Sequence, residues 1–381
     1  MSVVVRGYKT ELELNNEQIT ACLKHAGASR YAYNWGLRRY QEEREAGRKT
    51  PTAISLHKEL NALKQMELPW MYEMSKAAPQ EALRDLEKAF KNFWERCKRK
   101  KLGQWRGKSG FPRFKSKKRG IGSFRLTGAI HVSETWVQLP RLGKLRLKEH
   151  GYIPMRGVKI LSATVSEQAG RWFASIQVEE EHADPAAATG PVIGVDLGIK
   201  SLAALSNGET IGNPKALRKN LKKLKRLSRQ HSRKAKGSKN RQKATRKLAR
   251  LHAHIANIRK DTLHKATTQI VAKTKPDHER PSVVVIEDLN ISGMLKNRKR
   301  SRAIADVGLY EFKRQLTYKA AQAGVTLKVV SCWYPSSKTC SSCGAVREEL
   351  ALSERVFVCF DCGYVADRDY NASKNLATYG A

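Results

Sequence analysis

The sequence predicts a multidomain chain, with a β-rich first half interrupted by helices and an α/β second half. Short β-branched apolar runs ending in an acid, at Asp196 and at Glu287, read as buried central strands. Residues 2–14 and about 120–182 favour strands. Leu161, Ala163 and Val165 alternate, as do Trp172, Ala174, Ile176 and Val178, about a connection at Gly170, which makes a hairpin. Residues 15–100 are helical in pattern, and one helix starts near Ser75, tolerates Pro79 in its first turn and runs through Ala82, Leu86, Phe90 and Trp94. A helical insertion within a β domain is the economical arrangement. At 381 residues and 40% hydrophobic content, the chain can bury two or three cores.

Three acidic motifs stand in order: GVDLGIK at Gly194–Lys200, VVVIEDLN at Val283–Asn290 and DRDYNASKN at Asp367–Asn375. A carboxylate at the mouth of a buried sheet is costly unless a cation meets it. Mg²⁺ suits, because it takes oxygen ligands and uses few carboxylates beside substrate phosphate. Asp196, Glu287 and Asp369 are the candidate ligands and catalytic residues. Any one of these acids alone reads equally well as a helix or turn cap, but the ordered set of three favours metal. Within the third motif Asp369 is preferred to Asp367. Asn371–Leu376 reads as a helix whose positive end would stabilise Asp369, leaving Asp367 as a surface acid paired with Arg368 or a lysine.

Charge supplies the substrate class. The chain carries 73 Lys+Arg against 35 Asp+Glu, a formal charge of +38, which is the footprint of a polyanion binder. No apolar stretch reaches transmembrane length and no secretory signal is read, so a cytosolic, nucleoid-associated protein without a membrane partner is expected. Residues 215–260 hold 19 Lys/Arg and no acid. Two leucine-isoleucine stripes flank Lys236-Gly237-Ser238, so the segment reads as two antiparallel helices. An ordinary solvated helix mixes signs, whereas this one repels itself without an anion. Lys222, Lys225, Arg229, Arg246 and Arg250 are its candidate phosphate contacts. A second block, Lys91–Arg119, has 13 Lys/Arg and one acid. Its GFPRFKSKK stretch reads as an ordered basic loop in which Arg113 and Lys115 contact nucleic acid, while Phe93 and Trp94 continue a helical core face.

Cys340, Cys343, Cys359 and Cys362 form two CxxC pairs separated by 15 residues, the spacing of one closed, structural zinc site. Two disulfides are the alternative, disfavoured in a reducing compartment. Cys22, Cys97 and Cys332 read as small buried hydrophobes.

Together with YAYNWGL near the N-terminus, GFPRFKSKK, NIRKDTLHKATTQIV, YPSSKTCSSCG and CFDCG, the acidic motifs give the chain a close resemblance to the TnpB family, over nearly its whole length. These are RNA-guided nucleases of bacterial insertion sequences, related to type V CRISPR effectors. The resemblance implies a RuvC-like, RNase H-type nuclease domain at 191–334 and 364–381, with the basic hairpin at 214–262 and a zinc-binding module (a zinc ribbon) at 335–363. It implies a wedge β-barrel at 1–14 and 120–183, a helical recognition domain at 15–119 and a linker at 184–190. It implies a guide RNA from the element's end and a target DNA read by base pairing beside a short duplex motif. Lys76 and Gln80, with Thr52 nearby, match positions that help to read that motif. The expected reaction is two-ion phosphodiester hydrolysis with Mg²⁺, Mn²⁺ able to substitute, by a monomer in its ribonucleoprotein. A cleavage-deficient guided repressor and a carboxylate-triad transposase are the alternatives. The core is expected to be complete at Ala381, although many family members continue with a polar tail.

Overall fold

In the computed structural model, which describes residues 2–272, 274–351 and 353–381 (the side chain of residue 119 excepted), two compact units divide between Ala183 and Asp184. The first opens with strand β1 (Ser2–Glu13) and then helices α1 (Asn16–Glu45), α2 (Ala53–Met66) and α3 (Ala77–Lys101). Strands β2 (Ser123–Leu126), β3 (His131–Val132), β4 (Trp136–Leu139), β5 (Gly143–Leu147), β6 (Val158–Gln168) and β7 (Arg171–His182) follow.

These strands make one antiparallel sheet in the order β2-β6-β7-β1-β5-β4-β3. Among the described residues no ladder joins its two edge strands. The expected hairpin is β6–β7, turning through Ala169 and Gly170, both at positive φ (57° and 80°), as a tight two-residue connection requires. Leu161 departs from the alternation. The register shifts between Ile160 and Ser162, so Leu161 is only half-buried while Ser162 turns inward.

Asn15 and Thr52 start α1 and α2 with reciprocal capping boxes. The first half of α1 packs Cys22 and Ala26 on the sheet, and its second half packs Leu37 and Tyr40 against Leu83, Leu86 and Phe90 of α3. Trp94 corrects the expectation of a core residue: it is 43% exposed, its indole reaches the Tyr40 hydroxyl at 3.2 Å, and Arg44 lies over its ring. The helix has passed the end of its partner's apolar face at this point. The 110–118 stretch is an ordered loop, its Lys115 backbone held from both sides by the Asn34 side chain at 2.9 and 2.7 Å.

The second unit contains β8 (Ile193–Leu197), β9 (Ser201–Leu205), β10 (Thr210–Gly212), α4 (Ala216–Ser232), α5 (Lys239–Val271), β11 (Val283–Glu287), α6 (Ile291–Met294), α7 (Ser301–Val307), α8 (Leu309–Gln322), β12 (Thr326–Val330), β13 (Val356–Val358), β14 (Val365–Asp367) and α9 (Arg368–Gly380). Its sheet runs β10-β9-β8-β11-β12, antiparallel from β10 to β8 and parallel from β8 to β12. The segment expected as a linker, 184–190, is docked on this unit: Ala188 is buried in its core, and the Ala188, Thr189 and Gly190 amides donate to Gly324, Asp277 and Arg280 carbonyls.

The basic hairpin forms as predicted, with Leu224, Leu227 and Ile258 against Leu251 and Ile255. Helix α5 then continues into the core, where Leu263, Ala266, Ile270 and Val271 meet Phe312 and Leu316 of α8. At the hairpin's base the buried Asp306 carboxylate accepts the Leu217 amide at 2.9 Å and the Arg259 guanidinium at 2.9 Å, capping α4 from another helix.

Candidate metal centre and nucleic-acid surface

Parallel register brings the first two acids together. Val284, Val285 and Ile286 of β11 lie opposite Ile193, Gly194 and Val195 of β8, and one step further sets Glu287 beside Asp196. Strand alternation sorts the two faces. Ile193, Val195, Val284 and Ile286 point into the core made with α5 and α8. Gly194, Asp196, Val285 and Glu287 share the other face, where α9 packs.

Gly194 lets α9 in. A Cβ there would stand 1.9 Å from the Ser373 carbonyl oxygen and 2.5 Å from the Ala377 nitrogen. From Gly194 to Asp196 the strand advances roughly 6.6 Å, and from Ser373 back to Asp369 the helix retreats about 6 Å. The third acid therefore comes within electrostatic range of the first, although the three carboxylates do not converge as closely as the cysteine thiols do. In keeping with this, burial first, then the Asp369 and Glu287 carboxylates, push the Asp196 carboxyl up to about 8, with Arg368 offsetting part of the effect. Burial also raises Glu287, opposed by the Ser336 hydroxyl that donates to it. The cluster is short of positive charge, and its donors are all hard oxygens. Both facts fit Mg²⁺ or Mn²⁺.

Asp367 has different work. It is the N-cap of α9, its side chain accepting the Asp369 and Tyr370 amides at 2.9 and 3.2 Å. The expected surface pairing with Arg368 is thus replaced by a cap, and α9 starts at Arg368, with Asp369 inside its first turn.

The four cysteines converge. Among the described residues they are the one group of three or more His, Cys, Asp or Glu whose ligand atoms lie within 4.8 Å of one another. The Cys340–Cys362 and Cys343–Cys359 sulfurs are 3.7 and 3.6 Å apart. That is too long for a disulfide, about 2.05 Å. It suits the edge of a tetrahedron with metal–sulfur bonds of about 2.3 Å, roughly 3.8 Å. Gly344 and Gly363, at φ 81° and 70°, close two matching knuckles by donating to the Cys340 and Cys359 carbonyls. The module extends past 363, since β14 pairs with β13. Cys332 corrects the reading of a buried thiol and is exposed, whereas Cys22 is buried and Cys97 half-buried.

Ser336, Asn371 and Asn375 tie the thiol site to the acids, and the sequence reading assigns none of the three a role. Asn371 donates to the Thr339 carbonyl at 2.7 Å and accepts the Ser341 amide at 2.9 Å, gripping the first knuckle. Asn375 donates to the Ser336 and Thr339 carbonyls. The available signal was two asparagines four apart on the buried side of a helix, where unpaired amides are not tolerated.

The five hairpin candidates, Lys222, Lys225, Arg229, Arg246 and Arg250, are all exposed and have no acidic partner among the described residues. Arg113 and Lys115 lie in the basic loop of the first unit, where Lys115 sits over the Tyr33 ring at 4.0 Å and burial lowers its ammonium. Thr52 caps α2, Lys76 is exposed immediately before α3, and Gln80 is half-buried in its first turn.

A chain from Streptomyces pristinaespiralis named "Putative RNA-guided DNA endonuclease" is 38% identical over 395 residues, covering 100% of this chain and 90% of its own. An Escherichia coli chain with a name of the same kind is 35% identical over 395 residues, covering 99% and 92%. The chain belongs to the TnpB family. Family descriptions match in three places: "Probable transposase" over 175–298, "Cas12f1-like, TNB domain" over 310–376 and "Helix-turn-helix domain" over 1–49. In this TnpB chain the last span is one strand and one 30-residue helix rather than two helices about a turn. The fold is similar to that of the Cas12f1 chain in a complex with guide RNA and target DNA (TM-score 0.58, 14% identity, 98% of this chain and 99% of that one). It is also similar to the mini-RNA-guided endonuclease CRISPR-Cas phi3 (0.52, 10%, 98% and 92%). No helix among the described residues is long and apolar enough to cross a membrane.

Proposed function

We propose that this chain is an RNA-guided DNA endonuclease with a RuvC-like catalytic unit, and that Asp196, Glu287 and Asp369 form its nuclease centre. The observation that supports the reading is that these acids lie within electrostatic range of one another, near the ends of two parallel strands and in the first turn of α9. Two Mg²⁺ ions held there would supply a hydroxide nucleophile and stabilise the leaving oxygen of a phosphodiester. Asp196, whose carboxyl is raised by both other acids, would be the ligand common to the ions. Ser336 fixes the Glu287 carboxylate by donating to it, and the Asp367 cap fixes the turn that presents Asp369. One zinc ion, held by Cys340, Cys343, Cys359 and Cys362, would fix the knuckle on which Asn371 and Asn375 anchor α9.

The basic hairpin, through Lys222, Lys225, Arg229, Arg246 and Arg250, contacts phosphates without reading bases. The first unit serves as wedge and recognition module, its sheet the counterpart of the family's barrel. Arg113 and Lys115 hold guide RNA, while Thr52, Lys76 and Gln80 face the short duplex motif beside the target. The working particle is a monomer on its guide. Purifying the protein from its host and sequencing the bound nucleic acid tests this reading. A single defined RNA species is expected, and a fully folded protein that cuts a chosen duplex without RNA would overturn it.

A further inference from the structure

The first unit contains a cavity of about 660 Å³ with which no role above is connected. One wall is a face of α1 running from Lys24 past Gly27 and Tyr31 to Arg38. The opposite wall is Trp70, on the short turn Pro69–Glu73, and Phe114 of the basic loop closes the end. Its size falls in the range of about 300–1,000 Å³ usual for small-ligand sites.

The lining does not look like a core defect. Tyr31, Trp70 and Phe114 are 38%, 40% and 46% exposed, so large aromatic faces are left to water inside a concave site. Tyr31 meets Trp70 edge to face at 5.7 Å, which leaves a ring face of each open. The Tyr31 hydroxyl and the Trp70 indole N–H have no hydrogen-bond partner among the described residues. Arg38 is exposed and has no acidic partner among them, and Arg30 spends one guanidinium nitrogen on the Ile121 carbonyl at 3.2 Å. The walls are also held. Asn34 fixes the backbone beside Phe114, and Lys24 is ion-paired with Glu73 at one end.

We infer that this cavity takes one unstacked nucleobase of the guide RNA, sandwiched among Tyr31, Trp70 and Phe114 with its phosphate toward Arg38 and Arg30. The inference rests on the guide-RNA reading above. Cationic side chains beside open aromatic faces suit a nucleotide, because the base supplies a π-face and the backbone a negative charge. A duplex keeps its bases stacked on one another and closed to such a platform, whereas RNA is recognised mainly through splayed, unpaired bases on aromatic and arginine planes. This favours RNA over the target duplex.

Gly27 supplies a clean variant. A Cβ there meets nothing within 4 Å, so Gly27→Leu projects into the cavity, and a helix tolerates Leu better than Gly. The ribonucleoprotein purified from cells would be cross-linked by ultraviolet light, digested and read by mass spectrometry. The adduct mass separates ribonucleotide from deoxyribonucleotide, by one oxygen for A, G and C and by an oxygen exchanged for a methylene between uridine and thymidine. A ribonucleotide adduct is expected on peptides carrying Tyr31 or Trp70, falling at least tenfold in Gly27→Leu and in Trp70→Ala while adducts on the α4–α5 hairpin persist. Hairpin adducts with none in the cavity, an unchanged yield in Gly27→Leu, or deoxyribonucleotide there would overturn the inference and leave the guide-RNA reading standing. Absence of ribonucleotide adducts anywhere would overturn both.

Discussion

The Asp367 carboxylate accepts the backbone amide of Asp369 at 2.9 Å, so two acids two residues apart do separate work. One caps the helix and the other faces Asp196. Asp369→Asn should abolish cleavage and leave target binding intact. Asp367→Asn should keep substantial cleavage, because Asn caps about as well as Asp, while Asp367→Ala should cost about 1 kcal/mol of stability. Cleavage and binding assays on the three variants check this, and loss of cleavage confined to Asp367→Asn would reverse the roles.

Gly194 should tolerate no side chain. Ala at this position would set a methyl group 1.9 Å from a backbone oxygen of α9, an atom that cannot turn aside as a side chain would. Helix or strand must shift, at about 1–3 kcal/mol, and Asp369 moves with the helix. Denaturant melts together with cleavage rates would show both losses. Full activity in Gly194→Ala would mean that α9 does not seat as described.

How much of this was legible beforehand depends on how local each signal is. The acids at Asp196 and Glu287 stood out because a β-branched run followed by an acid is a contiguous pattern, and the four cysteines because their spacing is fixed by two tight knuckles. The α4–α5 hairpin was visible from its leucine stripes. Contacts that join distant segments were not. Nothing near Asp306 announces that it caps α4, and nothing near Ser336 announces Glu287. Periodicity tells which side of an element is apolar, not where its partner ends, so Trp94 reads as core and lies beyond it. For the same reason alternation missed the bulge at Leu161.

Carboxylate crowding gives a pH signature. With Asp196 held up to about 8 against an ordinary 3.8, the folded protein binds the extra proton between those values. In chelator, the stabilising effect of that proton is complete below about pH 4 and is lost as pH rises through about 8. Asp196→Asn should therefore melt higher than wild type in chelator at pH 8, with the gap closing toward pH 4. Millimolar Mg²⁺ should stabilise wild type and not the variant. Melting curves at several pH values decide it, and a variant that melts lower than wild type throughout would contradict the crowding.

Zinc should matter to the acids without touching them. The first knuckle is gripped by Asn371 and Asn375, and Ser336 donates to Glu287. Elemental analysis should find about one zinc per chain. Cys359→Ser should lower zinc content and cleavage together, with less loss of nucleic-acid binding. Ser336→Ala should keep its zinc and lose roughly 10–100-fold in cleavage, the usual cost of removing a partner behind a metal ligand. Normal cleavage by zinc-free protein would separate the two sites.

The central claim is that a bound RNA chooses the DNA and that the acids at Asp196, Glu287 and Asp369 cut it. The most direct measurement replaces the guide segment of the bound RNA with a chosen sequence and offers plasmids with and without the match. Wild-type ribonucleoprotein in Mg²⁺ should linearise only the matched plasmid, and the Asp196→Ala particle should bind that plasmid without cutting it. Cutting that ignores the guide, or that survives Asp196→Ala, would contradict the account.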